Sequence, residues 1–186
     1  MTEKTENSLI REIKKEHSAL LFIALWISYA FRGTYSVGAA IRTMPYVMTM
    51  PFEFSPVIII FIHILTGLIT AAVAILLLRF FHTLTIRTAG GRAFISRSNF
   101  TAVFSVALTA SNLLTGAVFW ACYAFPLMFP LASAVADLII GTPLLICAYF
   151  YMKKAFIPPH LYSKVFLTLA VPFVLYHAVF LAEAFI

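Results

Sequence analysis

Charged side chains are scarce in this chain of 186 residues. The 13 Lys and Arg and 7 Asp and Glu together make up 11% of it, and there is none between Ser98 and Ala136. Hydrophobic residues make up 62%, against about 45–50% in a soluble domain. A soluble fold of this size needs many polar groups to cover its surface. The composition therefore excludes an ordinary soluble domain and indicates a membrane protein.

Cysteines and catalytic motifs are also scarce. The two cysteines, Cys122 and Cys147, lie in or at the ends of apolar segments and form neither a C-x-x-C pair nor a zinc-binding spacing. There is no Gly-x-Ser-x-Gly, His-Glu-x-x-His or P-loop motif. The sequence therefore predicts no catalytic residue and leaves open whether the protein is an enzyme.

The apolar stretches predict an all-α transmembrane bundle of about five spans. A helix needs roughly 20 apolar residues to cross about 30 Å of hydrocarbon. The predicted spans are residues 18–41, 56–79, 100–122, 131–152 and 165–184. They form a single transmembrane domain, residues 18–186, after a polar cytoplasmic tail, residues 1–17. Pro143 and Pro172 lie inside spans, where proline is expected to kink a helix.

Basic residues predict the orientation. Cytoplasmic loops of membrane proteins are enriched in Lys and Arg. Of the 13 basic residues, 11 fall on one side of a five-span arrangement: four in the tail, four between spans 2 and 3, and three between spans 4 and 5. This predicts a multi-pass protein of a cell membrane, such as a bacterial inner membrane, with its N-terminus in the cytoplasm and its C-terminus outside. Since the basic residues already have this role, the net charge of +6 does not indicate a nucleic-acid partner.

Each predicted span carries one strongly polar residue in its outer half. These residues are Arg32, His63, Asn112, Asp137 and His177. An ionisable side chain within the membrane is costly and therefore points to a function. In one interpretation, Arg32 pairs with Asp137 and the layer only fixes helix packing. In the other, the layer lines a cavity that binds a cofactor, an ion or a small solute.

The histidines suggest one cofactor in particular. His63 and His177 have similar predicted depths, and two imidazoles facing each other in a bundle can ligate one haem b. Gly67, one turn after His63, leaves room for the edge of the macrocycle. The same histidines, with Asp137, could instead hold a metal ion. His82 and His160 lie near the inner boundary, where a histidine is more often interfacial than a ligand.

Two segments resemble small prokaryotic membrane b-type cytochromes. They are Ile62-His63-Ile64-Leu65-Thr66-Gly67, continuing to Leu76-Leu77-Leu78-Arg79, and Phe31-Arg32-Gly33. The resemblance covers about 30 residues and implies a haem-b electron carrier. That family has its haem histidines in the first and fourth spans, whereas span 4 here has none and His17 lies at the edge of span 1. Only His63 is carried over from the resemblance.

Three classes of function remain open. The first is a haem-b electron carrier or membrane anchor subunit of a redox complex, with His63 and His177 as ligands. The second is a small transporter or substrate-binding membrane component that uses the polar layer. The third is a non-catalytic membrane partner in which the layer is structural. The lipid bilayer is the expected partner in all three, with other membrane subunits in the first and third.

Overall fold

The computed structural model describes residues 15–43, 56–91, 94–122 and 135–184, and all regular structure in these ranges is helical. The long helices are α1 Lys15–Thr43, α2 Pro56–Thr88 and α3 Arg97–Cys122. A π-helical turn, Asp137–Gly141, leads directly into α4 Thr142–Ala155, and a 3-10 turn, Pro159–Leu161, precedes α5 Tyr162–Ala184. The all-α prediction is confirmed for this part of the chain. Most of the predicted tail and the first residues of predicted span 4 lie outside it.

Three of the described helices are long and apolar enough to cross a membrane: Ile60–Thr88, Arg97–Ala121 and Leu138–Ala155. The first has a mean hydropathy of 2.5, yet only 11% of its most apolar stretch is buried inside the protein. Large side chains such as Val57, Phe61 and Leu76 are more than 60% exposed. Exposed apolar surface on this scale marks an interaction with lipid or another partner.

Helix α2 is longer than its predicted span. Instead of ending near Arg79, it continues to Thr88, because nothing between these residues breaks a helix. The break comes at Gly90 and Gly91, whose φ angles of 90° and 82° suit glycine best. Gly91 N–H donates to the Ile86 carbonyl over 2.9 Å and closes the helix end. At about 1.5 Å per residue, the 33 residues make a helix about 50 Å long.

The sequence predicts a kink at Pro143, and the structure has a π-helical turn, Asp137–Gly141, just before this proline. Proline has no N–H, and its ring clashes with the carbonyl four residues earlier. In this protein, residue 139 would supply that carbonyl, and it lies in the Asp137–Gly141 turn. A π-helical turn is wider than an α-helical turn and relieves such a clash. π-helical turns within α-helices occur frequently at functional sites.

The helices pack in alternating directions around α3. Gly67 meets Ala30 while His63 meets Gly33, so α1 and α2 are antiparallel. Asn112 contacts Ser28 while Gly116 contacts Arg32, so α1 and α3 are parallel. The main apolar core lies towards the N-terminal end of α3, where buried residues of four helices and the 3-10 turn meet: Leu78, Phe100, Phe104, Ala148, Met152, Leu161 and Val165.

Candidate functional site in the membrane

A chain of side-chain hydrogen bonds links α1 to α3. Arg32 Nη1 donates to Asn112 Oδ1 over 3.1 Å, and Asn112 Nδ2 donates to Ser28 Oγ over 3.3 Å. Ser28 Oγ in turn donates to the Leu25 carbonyl over 2.7 Å. Asn112 is only 2% exposed and Ser28 is fully buried. We call Ser28, Arg32 and Asn112 the polar cluster.

His63 lies at the level of this cluster, on α2. The side chain is 9% exposed, and its ring packs against Gly33, the residue after Arg32. A Cβ atom on Gly33 would lie 3.0 Å from His63 Nδ1, which is tighter than ordinary van der Waals contact. Three of the predicted polar residues, Arg32, His63 and Asn112, therefore lie at one level on three neighbouring helices.

Glycines allow the helices to approach closely around the cluster. A Cβ on Gly67 would lie 2.8 Å from the backbone nitrogen of Ala30, and one on Gly116 would lie 2.6 Å from the Phe31 ring. A Cβ on Gly141 would lie 3.1 Å from Ser111 Oγ, which brings the π-helical turn against α3. Small residues at helix contacts are typical of membrane proteins, because close packing and interhelical hydrogen bonds hold the helices together. The sequence alone does not show which helix contact each of these glycines makes.

Asp137 can be placed only by its backbone, since its side chain lies outside the described part. Gly141 meets Ser111, while Ala148 and Met152 share a core with Phe104 and Phe100, so α4 runs antiparallel to α3. One turn before Gly141, the Asp137 backbone is therefore level with Thr115, one turn after Ser111. The next residue, Gly116, contacts the Arg32 backbone. This level is compatible with the predicted pair of Arg32 and Asp137.

His177 does not share the level of His63. Helices α2 and α5 touch at Thr88 and Thr168, whose hydroxyls are 3.1 Å apart. His63 lies about 38 Å along α2 from Thr88, and the His177 backbone lies about 14 Å along α5 from Thr168. Whichever way α5 runs, the two levels differ by at least about 24 Å. The His177 side chain is outside the described part, but this register does not fit two axial ligands of one iron.

His82 has a different environment from the interfacial one expected for it. It is 8% exposed, and its Nε2 lies 3.0 Å from the Ile95 carbonyl. Its ring packs edge-on against Phe100, with the centroids 5.4 Å apart. His82 therefore fastens the long end of α2 to the start of α3. Span prediction missed this contact because it placed His82 beyond the end of the helix. His160, by contrast, is exposed, as expected for an interfacial residue.

Four buried hydroxyls on α3 also escaped the sequence interpretation. Thr101, Ser105, Thr109 and Thr115 each bury their side-chain oxygen without a hydrogen-bond partner in the described part of the chain. Their spacing of four, four and six residues places them on one side of the helix. Helical periodicity applied to the hydroxyl residues, rather than to the apolar ones, would have revealed this arrangement.

A shallow groove between α4 and α5 is lined mainly by aromatic residues and Lys153. It encloses about 450 Å³ and includes Tyr149, Tyr162 and Phe166. Lys153 Nζ lies 4.4 Å from the centre of the Tyr162 ring, a cation–π contact. Tyrosine and lysine side chains together are typical of a membrane–water interface.

No His, Cys, Asp and Glu side chains of the described residues form a group of three or more that could hold a metal ion. Comparison of the chain with protein-family models, with curated proteins and with solved structures finds no match. The fold and the cluster together define a class: an all-α protein with helices suited to cross a membrane and a polar cluster where three helices meet. No family assignment goes beyond that class.

Proposed function

We propose that the protein is a five-span membrane protein with its N-terminus in the cytoplasm and its C-terminus outside. The alternating directions of α1, α2 and α3 support this arrangement, as does the concentration of basic residues on one side. Reporter fusions test it. A fluorescent protein, which folds in the cytoplasm, is expected to be bright at the N-terminus and dark at the C-terminus, and alkaline phosphatase is expected to be active only at the C-terminus. The reverse pattern contradicts the orientation.

The polar cluster supports a role as the solute-binding site of a small transporter or substrate-binding membrane component. The observation that carries this proposal is the buried hydrogen-bond chain from Arg32 through Asn112 to Ser28. A guanidinium is well suited to carboxylate and phosphate groups, so small organic or inorganic anions are the expected solutes. The neighbouring π-helical turn and Pro143 are irregular features of the kind that line transport sites.

Ligand-dependent stability tests this role. The purified protein is heated in detergent with a panel of small carboxylates, amino acids, phosphate and uncharged sugars. A ligand at a hundred times its Kd raises the unfolding free energy by about 2.7 kcal/mol, which is a measurable increase in Tm. The increase is expected to disappear in Arg32→Gln and to persist in Arg79→Gln, a control at an exposed arginine. An increase that survives Arg32→Gln, or a panel in which no compound stabilises the protein, contradicts the proposal.

A haem-b site at His63 is the second candidate. The buried imidazole of His63 supports it. The close packing of His63 against Gly33 and of Gly67 against Ala30 counts against it, and the register of α2 and α5 counts against His177 as the second ligand. The absorption spectrum after haem supplementation tests this candidate: a Soret band that disappears in His63→Ala is expected. A colourless protein contradicts it. If neither solute nor haem binds, the cluster has the structural role of a non-catalytic membrane partner.

A further inference from the structure

The end of the bundle where α3 begins has an excess of positive charge. The tail, residues 1–17, carries four basic and four acidic residues and is balanced. Residues 54–136 and 138–182 contain no Asp or Glu, so the basic residues there have no nearby carboxylate in the sequence. An anion from outside the chain is therefore a favourable partner at this end. The described basic residues at this end are Arg79, Arg87, Arg97, Lys153, Lys154 and Lys164.

The groove between α4 and α5 lies at this end. Lys153 meets the Tyr162 ring, while Tyr149, one turn earlier, meets the Phe166 ring, one turn later, with the ring centroids 5.3 Å apart. The two helices are therefore antiparallel. Lys153 and Ser163 lie at the end of the groove nearest to the turn that joins the helices, so this end of the groove is polar.

Apolar surface continues from the other end of the groove. On α5, Leu167, Val171 and Val174 recur every three or four residues, which places them on one side of the helix, and each is more than half exposed. On α4, Ile146 and Phe150 are 45% and 56% exposed. The groove and this surface together have a cation at one end and hydrocarbon along the rest, which is the polarity of a phospholipid.

Lys153 carries its charge without a carboxylate beside it. Its Nζ lies 4.4 Å from the centre of the Tyr162 ring and 5.8 Å from that of Phe150. These cation–π contacts position the ammonium without neutralising it. The nearest carboxylates in the sequence on either side, Asp137 and Glu183, each lie more than about 20 Å along the helices from the polar end of the groove. The ammonium, with three N–H donors, can therefore bind an anion.

An amphiphile with a negative head group matches both ends of the groove. Basic pockets between membrane-spanning helices on the cytoplasmic side bind the head groups of anionic lipids. We propose that the groove binds one anionic phospholipid, with its phosphate at Lys153 and Ser163 and an acyl chain along the apolar surface. Inorganic phosphate would use only the polar end, and a second copy of this chain would bring a like charge to Lys153.

This lipid site is separate from the polar cluster. Met152, one residue before Lys153, shares a core with Phe100 near the start of α3, whereas Asn112 lies about 18 Å further along the same helix. The lipid site therefore goes beyond the proposed function and does not depend on solute binding at the cluster.

Native mass spectrometry tests the lipid site on the full chain in mild detergent, where membrane orientation plays no part. The protein is titrated with phosphatidylglycerol, and with phosphatidylcholine of the same acyl chains as a zwitterionic reference. One lysine near a membrane surface contributes about a fivefold gain in affinity for anionic lipid. Lys153→Gln is therefore expected to weaken binding of the first phosphatidylglycerol about fivefold, and Lys153→Arg to retain it. Lys154→Gln, the matched control, makes the same charge change at an exposed neighbour outside the groove and is expected to have little effect.

The proposal is overturned by absence of bound phosphatidylglycerol, by equal losses in Lys153→Gln and Lys154→Gln, by phosphatidylcholine binding as tightly, or by displacement of the lipid by inorganic phosphate. A dimer that binds no phosphatidylglycerol overturns it in favour of a second copy of the chain. If Lys153→Gln fails to fold by circular dichroism, Ser163→Glu places a negative charge at the polar end, and undiminished binding in that variant overturns the proposal. Arg32→Gln is expected to bind phosphatidylglycerol like the parent, so this test and the solute-binding test fail separately.

Discussion

The hydrogen bond between Arg32 and Asn112 predicts a measurable coupling energy. A double-mutant cycle with Arg32→Met and Asn112→Ala isolates it, because each change removes one side of the bond. Hydrogen bonds to charged groups contribute about 1.5–3 kcal/mol in proteins generally, while interhelical bonds within membranes average about 0.6 and reach about 1.7 kcal/mol. For a charge-assisted bond of 3.1 Å to a nearly fully buried partner, we expect a coupling of about 1–2 kcal/mol.

The assay is unfolding in mixed micelles, followed by far-ultraviolet circular dichroism. The four proteins of the cycle give four free energies of unfolding, and the coupling is their non-additive part. Leu113→Ala combined with Arg32→Met is the matched control, since Leu113 is 43% exposed and is expected to be additive with Arg32. Independent sites add within about 0.3–0.5 kcal/mol. A coupling for Arg32 and Asn112 no larger than that refutes the reasoning.

Three further substitutions have expected outcomes. Gly67→Ala is expected to lower the free energy of unfolding by about 1–3 kcal/mol, because the new Cβ would lie 2.8 Å from the Ala30 backbone; thermal unfolding measures this. His82→Ala is expected to cost about 1–3 kcal/mol by removing the partner of the buried Ile95 carbonyl, and His82→Gln to recover part of the loss. Trp26→Phe removes a 2.8 Å donor to an α2 carbonyl and is expected to cost about 0.5–1.5 kcal/mol in the same assay.

Each of these has a contradicting outcome. A variant Gly67→Ala as stable as the parent shows that α1 and α2 do not meet at that glycine, and Ile69→Ala, on the exposed side of α2, controls for a general effect of substitution. If His82→Ala and His82→Gln lower the free energy of unfolding equally, the hydrogen bond from His82 to the Ile95 carbonyl does not contribute to stability. An unchanged Trp26→Phe variant shows that packing of the ring, and not its N–H, holds α1 to α2.

The common level of Arg32, His63 and Asn112 could be predicted from the sequence. Neighbouring spans start and end at the same two membrane surfaces, so counting residues inward from the charged ends places side chains at comparable depths. This counting requires only the positions of the uncharged stretches that define the spans. The contacts of Asn112 with α1 and of His63 with Gly33 agree with it.

The same counting put His63 and His177 at similar depths, which the contact between α2 and α5 does not support. It assumed that each helix ends at the membrane surface, whereas α2 continues nine residues past Arg79 and touches α5 in that extension, at Thr88. Helix α2 is apolar on all its faces. Its sequence therefore has no pattern of polar and apolar residues from which its position along a neighbouring helix could be predicted. The offset depends on particular contacts such as Thr88 with Thr168, which hydropathy does not encode.

The polar cluster itself can be measured directly in lipid bilayers. Rotational-echo double-resonance NMR between the ¹⁵N-labelled guanidinium of Arg32 and the ¹³C-labelled side-chain carbonyl of Asn112 reports their separation. Strong dephasing, consistent with the 3.1 Å contact of Nη1 with Oδ1, is the expected result. Absence of dephasing in folded protein contradicts the arrangement of α1 and α3 from which the proposed binding site is built.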